Sequence, residues 1–431
     1  MTFDTPIAQP TRRFALSNGR IILPDEIALG KAVVIEGERI VGITDAGALS
    51  SDTMQIDVGG RYITPGLIDI HTHGALSHTF NEPTAEAFAA ICAENARRGV
   101  TALLATLATA PIPDLVRCLE FCREWMQPSH DGARVLGMYL ESPYISPAQK
   151  GALDPKNIRT PDDGTPDVLL AHHDVIKIFA FAPELPGALA LCAKLASLGI
   201  VPAAGHSSAK DNDVLAAMQV GLRHVTHIWS AMSSTVREGP WRKPGLLEAA
   251  LTFDGLSVEM IADNKHLPPT LMKLAYKCIG ADRLCAISDA TNGAGLPEGS
   301  RFKVGGMEYE VRDGVGMMFD RTAFAGSTTL VNEMIPILTN VVGIPLAEAI
   351  RLLTLTPARV IGVDGRKGSI APGKDADLAI FDDGFSAWRT MIGGQWVWAK
   401  LSTKDTKRHE MTWALRGRSL DDNQTNLRND G

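Results

Sequence analysis

Two histidines separated by one residue close a short apolar run, Pro65-Gly-Leu-Ile-Asp-Ile-His-Thr-His-Gly74. Residues 67–70 read as a buried strand, since they are mostly apolar, β-branched in part and bounded by Pro-Gly and Gly. On an extended chain the side chains at i and i+2 point to the same side. His71 and His73 can therefore converge on one point. The pair alone leaves two readings open. It is a polar cap on a strand, or it is half of a metal site, imidazole being the commonest metal ligand.

Partners for a metal recur where other apolar runs end. Residues 135–140 stop at Glu141, 200–204 lead into Gly205-His206, 224–228 carry His227, and 284–288 stop at Asp289. Each has an ordinary explanation when taken singly: Glu141 capping a loop, His206 bonding the backbone, Asp289 starting a turn. Five run ends that present only His, Glu and Asp make accident a poor account of the set. Those residue types are metal ligands and proton-transfer groups.

The elements that must position them follow from the pattern. Candidate strands at 67–70, 101–107, 135–140, 175–181, 200–204, 224–228, 257–261 and 284–288 alternate with helical stretches such as 84–98, 114–126, 185–198 and 210–220. Strand–helix alternation argues for a parallel sheet, and eight strands in about 300 residues suit a closed (β/α)₈ TIM barrel over residues 62–363. In a barrel all these strand ends open on one face, where such folds keep their chemistry. A doubly wound open sheet is the structural alternative, though no Gly-x-Gly-x-x-Gly or Walker-type loop supports a nucleotide-binding version. Both chain ends are strand-rich. Asn18-Gly19 and Glu36-Gly37 mark hairpins, and 368–382, 390–392 and 395–398 add a turn and strands. The expectation is an α/β protein whose residues 1–61 and 364–431 form a small β-sandwich, with a polar tail from about 401.

A length of 431 residues suits one large core and one smaller one. The net charge of −7 gives no reason to expect nucleic acid or an anionic membrane surface as partner. No apolar run approaches the roughly 18–20 residues of a membrane span, and the first residues lack the apolar core of a secretory signal. None of the six cysteines forms Cys-x-x-Cys, and most sit in apolar runs. That fits buried reduced thiols and a cytoplasmic location, and leaves a zinc–thiolate site without support.

The motifs taken together resemble the amidohydrolase superfamily and, within it, the N-acetylglucosamine-6-phosphate deacetylase family. The resemblance rests on Pro-Gly-Leu-Ile-Asp-Ile-His-Thr-His-Gly, Leu-Glu-Ser-Pro-Tyr followed by Lys150-Gly151-Ala152, and Ala-Gly-His-Ser. It continues through Thr-His-Ile-Trp-Ser-Ala-Met, Ile-Ala-Asp-Asn-Lys-His, Ser-Asp-Ala-Thr, Phe-Ala-Gly-Ser and Gly-Lys-Asp-Ala-Asp-Leu, from about Gly19 to Trp398. It implies a metal-dependent hydrolase that converts N-acetylglucosamine 6-phosphate to glucosamine 6-phosphate and acetate, working as a homodimer. By the same resemblance Glu141, His206 and His227 hold the principal divalent metal. His71 and His73 hold a second, bridged by Glu141, and some members work with one. Zn²⁺ or Fe²⁺ suits such nitrogen and oxygen ligands, at one or two ions per subunit. Asp289 takes the proton from the attacking water and passes it to the departing amine. On the substrate side the resemblance assigns Ala152 and Leu153 beside the acyl group, and the Ser230-Ala231 backbone, Arg242 and His266 to the sugar phosphate. Phe324, Ala325 and Gly326 line the sugar pocket. Read by itself, Arg242 lies in a basic loop that binds a phosphate or simply faces solvent.

Two positions depart from the family pattern. Leu153 stands where the family usually has a histidine that bonds the substrate carbonyl, and Ser230 replaces an asparagine. Both fall on the substrate side, which keeps a second reading alive: hydrolysis of a different N-acyl amino sugar, or of another amide or cyclic amide. His224, three residues before His227, is expected to face away and bond a neighbour.

Overall fold

The computed structural model describes residues 13–127, 130–141, 143–304, 307–321 and 324–399. The order in the large sheet is that of the sequence. Leu67–Thr72, Val100–Leu107, Arg134–Glu141, Ile176–Phe181, Val201–Ala204, His224–Val225, Ser257–Ile261 and Leu284–Ile287 pair in parallel as neighbours. The eighth strand returns to the first: the Asp289 amide donates to the His71 carbonyl at 2.9 Å and the His73 amide to the Ala290 carbonyl at 2.7 Å. The fold is thus the expected (β/α)₈ barrel. Val100–Leu107 is buried at every position, as a parallel strand with both faces covered must be. The helices pack their apolar faces on that sheet. Ala85–Arg97 starts where Thr84 accepts the Ala87 amide, and turns Phe88, Ile91 and Cys92 inward.

The ends of the chain build two sheets around a core of their own, which holds Phe14, Val33, Ile35, Ile63, Leu378, Ile380 and Trp396. Tyr62–Pro65 pairs in this end structure with Leu378–Phe381. The hairpin expected at Glu36-Gly37 forms between Lys31–Glu36 and Arg39–Asp45, with Gly37 and Glu38 as its turn. Asn18-Gly19 does not. Arg13–Ser17 pairs with Lys31–Glu36 and Met54–Asp57, whereas Arg20–Ile22 pairs with Ile27–Ala28 and Tyr62–Pro65. The two residues carry the chain from one sheet to the other. Asn18 adopts φ 55, and a Cβ on Gly19 would come within 2.7 Å of Ile63 and Val58 of the shared core.

A further element interrupts the barrel after its last strand. Arg301–Val304, Met307–Arg312, Val315–Met318 and Phe324–Ser327 form an antiparallel sheet with a small core that includes Phe302, Tyr309 and Ala325. The compact unit ends at Trp398. The polar tail expected from about 401 lies outside the described residues. Five of the six free cysteines are buried. Among the described residues no helix is long and apolar enough to cross a membrane.

Candidate metal centre and active-site cavity

Five barrel strands deliver their end residues to one spot. The ligand atoms of His71, His73 and Glu141 lie within 4.8 Å of one another, and so do those of Glu141, His206 and His227. Glu141 belongs to both sets. Its Oε1 is 2.8 Å from His206 Nε2 and 3.0 Å from His227 Nε2, while its Oε2 is 3.4 Å from His73 Nε2. Asp289 Oδ1 stands 3.3 Å from His73 Nε2 and 3.6 Å from His71 Nε2.

Local backbone geometry makes this possible. His206 and Asp289 each stand two residues beyond the last residue of their strand, with φ 46 and 47, the left-handed region that swings a side chain off the strand direction. A non-glycine residue held there costs of order 1–3 kcal/mol and needs support from its surroundings. For Asp289 the support is a buried network. Ser288 Oγ donates to Asp69 Oδ2 at 2.5 Å and accepts the Ala290 amide at 3.0 Å, and Asp69 also accepts the His71 amide at 3.3 Å. Burial pushes the Asp69 carboxyl up to about 6. Behind Asp289 the Ser327 amide donates to its carbonyl at 2.9 Å, and a Cβ on Gly326 would meet that same carbonyl at 2.4 Å. For His206, Nδ1–H donates to the Gln149 carbonyl at 2.8 Å, which leaves Nε2 free to face Glu141.

The electrostatics call for positive charge. Burial alone would raise Glu141, yet His206 and the bonds from His206, His227 and His73 hold its carboxyl well below the usual range. Asp289 is also lowered, burial being outweighed by the bond to His73 and the neighbouring imidazoles. The same two carboxylates overcome the effect of burial on His73 and push it up to about 10.

The floor of a cavity of about 540 Å³ includes His73, Glu141, His206, His227 and Asp289. Its walls include Ala152, Leu153, Ser230, Ala231, His266, Phe324, Ala325 and Gly326, all expected from the sequence. His266 Nδ1 is 2.7 Å from Asp263 Oδ2, which also accepts Ser327 Oγ at 2.9 Å, and the ring meets Phe324 edge-on at 5.1 Å. Arg242 is not on the wall. It is exposed on a hairpin of Val236–Glu238 and Trp241–Lys243, across from Arg237. Among the described residues the Lys or Arg that lines the cavity is Lys303, from the inserted sheet.

Sequence reasoning missed Lys303, Asp263 and Glu259. Glu259 is fully buried, 2.9 Å from both His71 Nδ1 and His224 Nε2. Burial would raise it, but the two histidines bring it down to about 2. A lone carboxylate inside the apolar run Val258-Glu-Met-Ile261 was the available signal. His224 bonds neighbours as expected, with Nδ1 2.7 Å from Ser257 Oγ.

The comparisons with known proteins bear on this centre. The model of the amidohydrolase family matches residues 62–397. The chain belongs to the amidohydrolase family. One amidohydrolase relative, the N-acetylglucosamine-6-phosphate deacetylase of Haemophilus influenzae, is 32% identical over 89% of this chain and 99% of its own length. The N-acetylgalactosamine-6-phosphate deacetylase of Escherichia coli O157:H7 is 34% identical over 77% of this chain and 87% of its own. Among solved structures, the N-acetylglucosamine-6-phosphate deacetylase of Pasteurella multocida superposes with a TM-score of 0.84 at 29% identity, covering 90% of this chain and all of that one. The Mycobacterium smegmatis enzyme, solved in complex with N-acetyl-D-glucosamine-6-phosphate, gives 0.82 at 28% identity over 89% and 99%.

Membership of the amidohydrolases implies a divalent metal, and the residues fit one. His71 Nε2 is buried and has no hydrogen-bond partner among the described residues. His206 and His227 bring their Nε2 atoms within 3.2 Å of each other beside Glu141. Two nitrogen lone pairs and a carboxylate facing inward are a cation's donor set.

Proposed function

We propose that this protein deacetylates N-acetylglucosamine 6-phosphate, releasing glucosamine 6-phosphate and acetate. The observation that carries the reading is the pair of His/Glu clusters joined through Glu141, with Asp289 beside them on a cavity floor. Zn²⁺ or Fe²⁺, one or two ions per subunit held by His71, His73, Glu141, His206, His227 and Asp289, would acidify water from a pKa of 15.7 towards ~7 and polarise the acyl carbonyl.

The chain's own residues do the rest. Asp289 Oδ1 accepts the proton of the attacking water and returns it to the amine nitrogen, which must not leave as an anion. His73, bonded to Asp289, keeps that oxygen aimed at the floor of the cavity. Glu141 orients His73, His206 and His227. His266, steadied by Asp263, takes the sugar phosphate together with the Ser230-Ala231 backbone. Phe324, Ala325 and Gly326 hold the sugar ring, and Ala152 and Leu153 lie against the acyl group. Arg242 does not line the cavity of its own chain; a phosphate contact from it would have to come from the partner subunit of a homodimer. The enzyme works in the cytoplasm, on a small phosphorylated sugar.

Incubating the metal-replete protein with N-acetylglucosamine 6-phosphate and measuring acetate tests the reading; no acetate above the metal-free control overturns it. Leu153 favours a second reading, a different N-acyl amino sugar or other amide. It is nearly buried, lines the cavity and cannot donate a hydrogen bond to a carbonyl. Turnover of N-acetylgalactosamine 6-phosphate or a longer-chain N-acyl sugar in preference to the glucosamine compound would select it.

A further inference from the structure

The two halves of the centre are backed differently. On the Glu141/His206/His227 side, the far nitrogen of His206 meets a neutral backbone carbonyl, that of Gln149, and the far nitrogen of His227 has no partner among the described residues. On the His71/His73 side, the far nitrogen of His71 meets a carboxylate. Glu259 Oε2 is 2.9 Å from His71 Nδ1 and 3.2 Å from the His227 amide, and its Oε1 is 2.9 Å from His224 Nε2. Among the described residues no lysine or arginine bonds it.

Imidazole chemistry gives this a consequence. A neutral histidine carries its proton on one nitrogen and a lone pair on the other. With a carboxylate at Nδ1, the proton sits there, and the lone pair of Nε2 faces the site. Nε2 of His71 is the atom that stands 3.8 Å from Glu141 Oε1 and 3.6 Å from Asp289 Oδ1 with no hydrogen bond of its own among the described residues. Without the carboxylate the other tautomer is open to His71, and that one points an N–H at the place a cation needs a donor pair. His224, which donates to Oε1 and meets Ser257 Oγ at 2.7 Å, keeps Glu259 from turning away.

We propose that Glu259 is a positioning residue for the His71/His73 half of the centre: it sets His71 as an Nε2 ligand, so that occupancy of the second metal position depends on it while the principal position does not. This rests on the two-metal form of the reading given above.

The test uses the full chain, stripped of metal and titrated with Zn²⁺, with bound zinc counted by mass spectrometry after desalting. Wild type is expected to take two ions. Glu259→Gln, close in shape, is expected to keep the first at wild-type affinity and to bind the second about 10–100-fold more weakly, the usual loss when a partner behind a ligand is removed. His224→Gln should weaken the second ion in the same direction, by less. A folded Glu259→Gln protein with wild-type stoichiometry and both affinities unchanged overturns the proposal, as does wild type that binds one ion only. Wild type that binds no zinc at all instead sinks the metal-dependent reading itself. Should Glu259→Gln not fold, ¹⁵N-histidine spectra of the metal-free wild type, assigned with His71→Asn, decide the matter. The Nδ1–H form of His71 is expected, and the Nε2–H form overturns the proposal.

Discussion

The floor of the cavity and its walls are made in different ways. The floor is strand ends: His73, Glu141, His206, His227 and Asp289 are all nearly inaccessible, and their backbones belong to or adjoin the hydrogen-bonded barrel. The walls are loops and an insertion. Phe324, on the inserted sheet, is 37% exposed. Rigid ligands and adaptable contacts have separate supports, so the hydrolytic chemistry can stay fixed while the recognised molecule changes. Leu153 and Ser230, the two departures from the family pattern, both lie on the walls.

Experiments can break or sharpen that contrast. The largest effect is expected from chelation, which should abolish acetate release, with Zn²⁺ or Fe²⁺ restoring it; activity that survives complete removal of metal would contradict a metal-bearing floor. Next, Asp289→Asn should lower kcat by about 10²–10⁴-fold, the usual worth of a positioned acid–base group. Bound metal is read in parallel, since a variant that loses its zinc reports a ligand and not a proton carrier.

Changes in the walls should leave metal content untouched. Leu153→His should raise the rate on N-acetylglucosamine 6-phosphate, by up to the ~10²-fold at the low end of what one carbonyl donor is worth. No gain means that the acyl side is already complete, or built for another group. His266→Ala and Arg242→Ala should raise KM for the phosphosugar by roughly 10-fold each with kcat little changed, as expected for a lost charge-assisted bond of about 1.5 kcal/mol or more. An unaltered KM in Arg242→Ala would confine that residue to solvent.

The smallest effect expected is with pH. His73 is raised from 6.5 to about 10 in the metal-free fold. Its contribution to stability is therefore fully present below pH 6.5 and lost as pH rises through about 10. Metal-free protein should lose Tm over that window, and metal-loaded protein should not, because the ion takes the place of the proton. Calorimetric titration at pH 8 in buffers of different ionisation enthalpy should show a proton released on binding.

The floor was legible in the sequence because strands impose a simple rule. A residue just past a buried apolar run must emerge at the barrel mouth, and Glu141, His206 and Asp289 do. The run at 224–228 shows the limit of that rule. Regular pairing stops at Val225, and His227 reaches the site on irregular backbone bonded through Thr226 to Ala204 and through Ile228 to Glu259. Glu259 went unread because strand periodicity says only that a position is inward, and an inward carboxylate needs its two histidines in view before it makes sense. The insertion at 301–327 was hidden for a related reason. Its strands alternate like any hairpin, and nothing local says that Lys303 and Phe324 end beside Asp289. Asn18-Gly19 misled in the opposite direction, since a dipeptide suited to tight turns was used to change sheets.

The pairing of Tyr62–Pro65 with Leu378–Phe381 joins segments more than 300 residues apart. During synthesis the first of these leaves the ribosome long before its partner exists. At ~5–20 residues per second the wait is about 15–60 s. Throughout it Arg20–Ile22, Ile27–Ala28 and Tyr62–Pro65 lack the neighbour that completes their sheet. The barrel, whose strands pair in the order they are made, can assemble meanwhile. A chain stopped short of Leu378 should therefore carry unpaired strand edges and depend on chaperones, even with every ligand of the metal centre already translated.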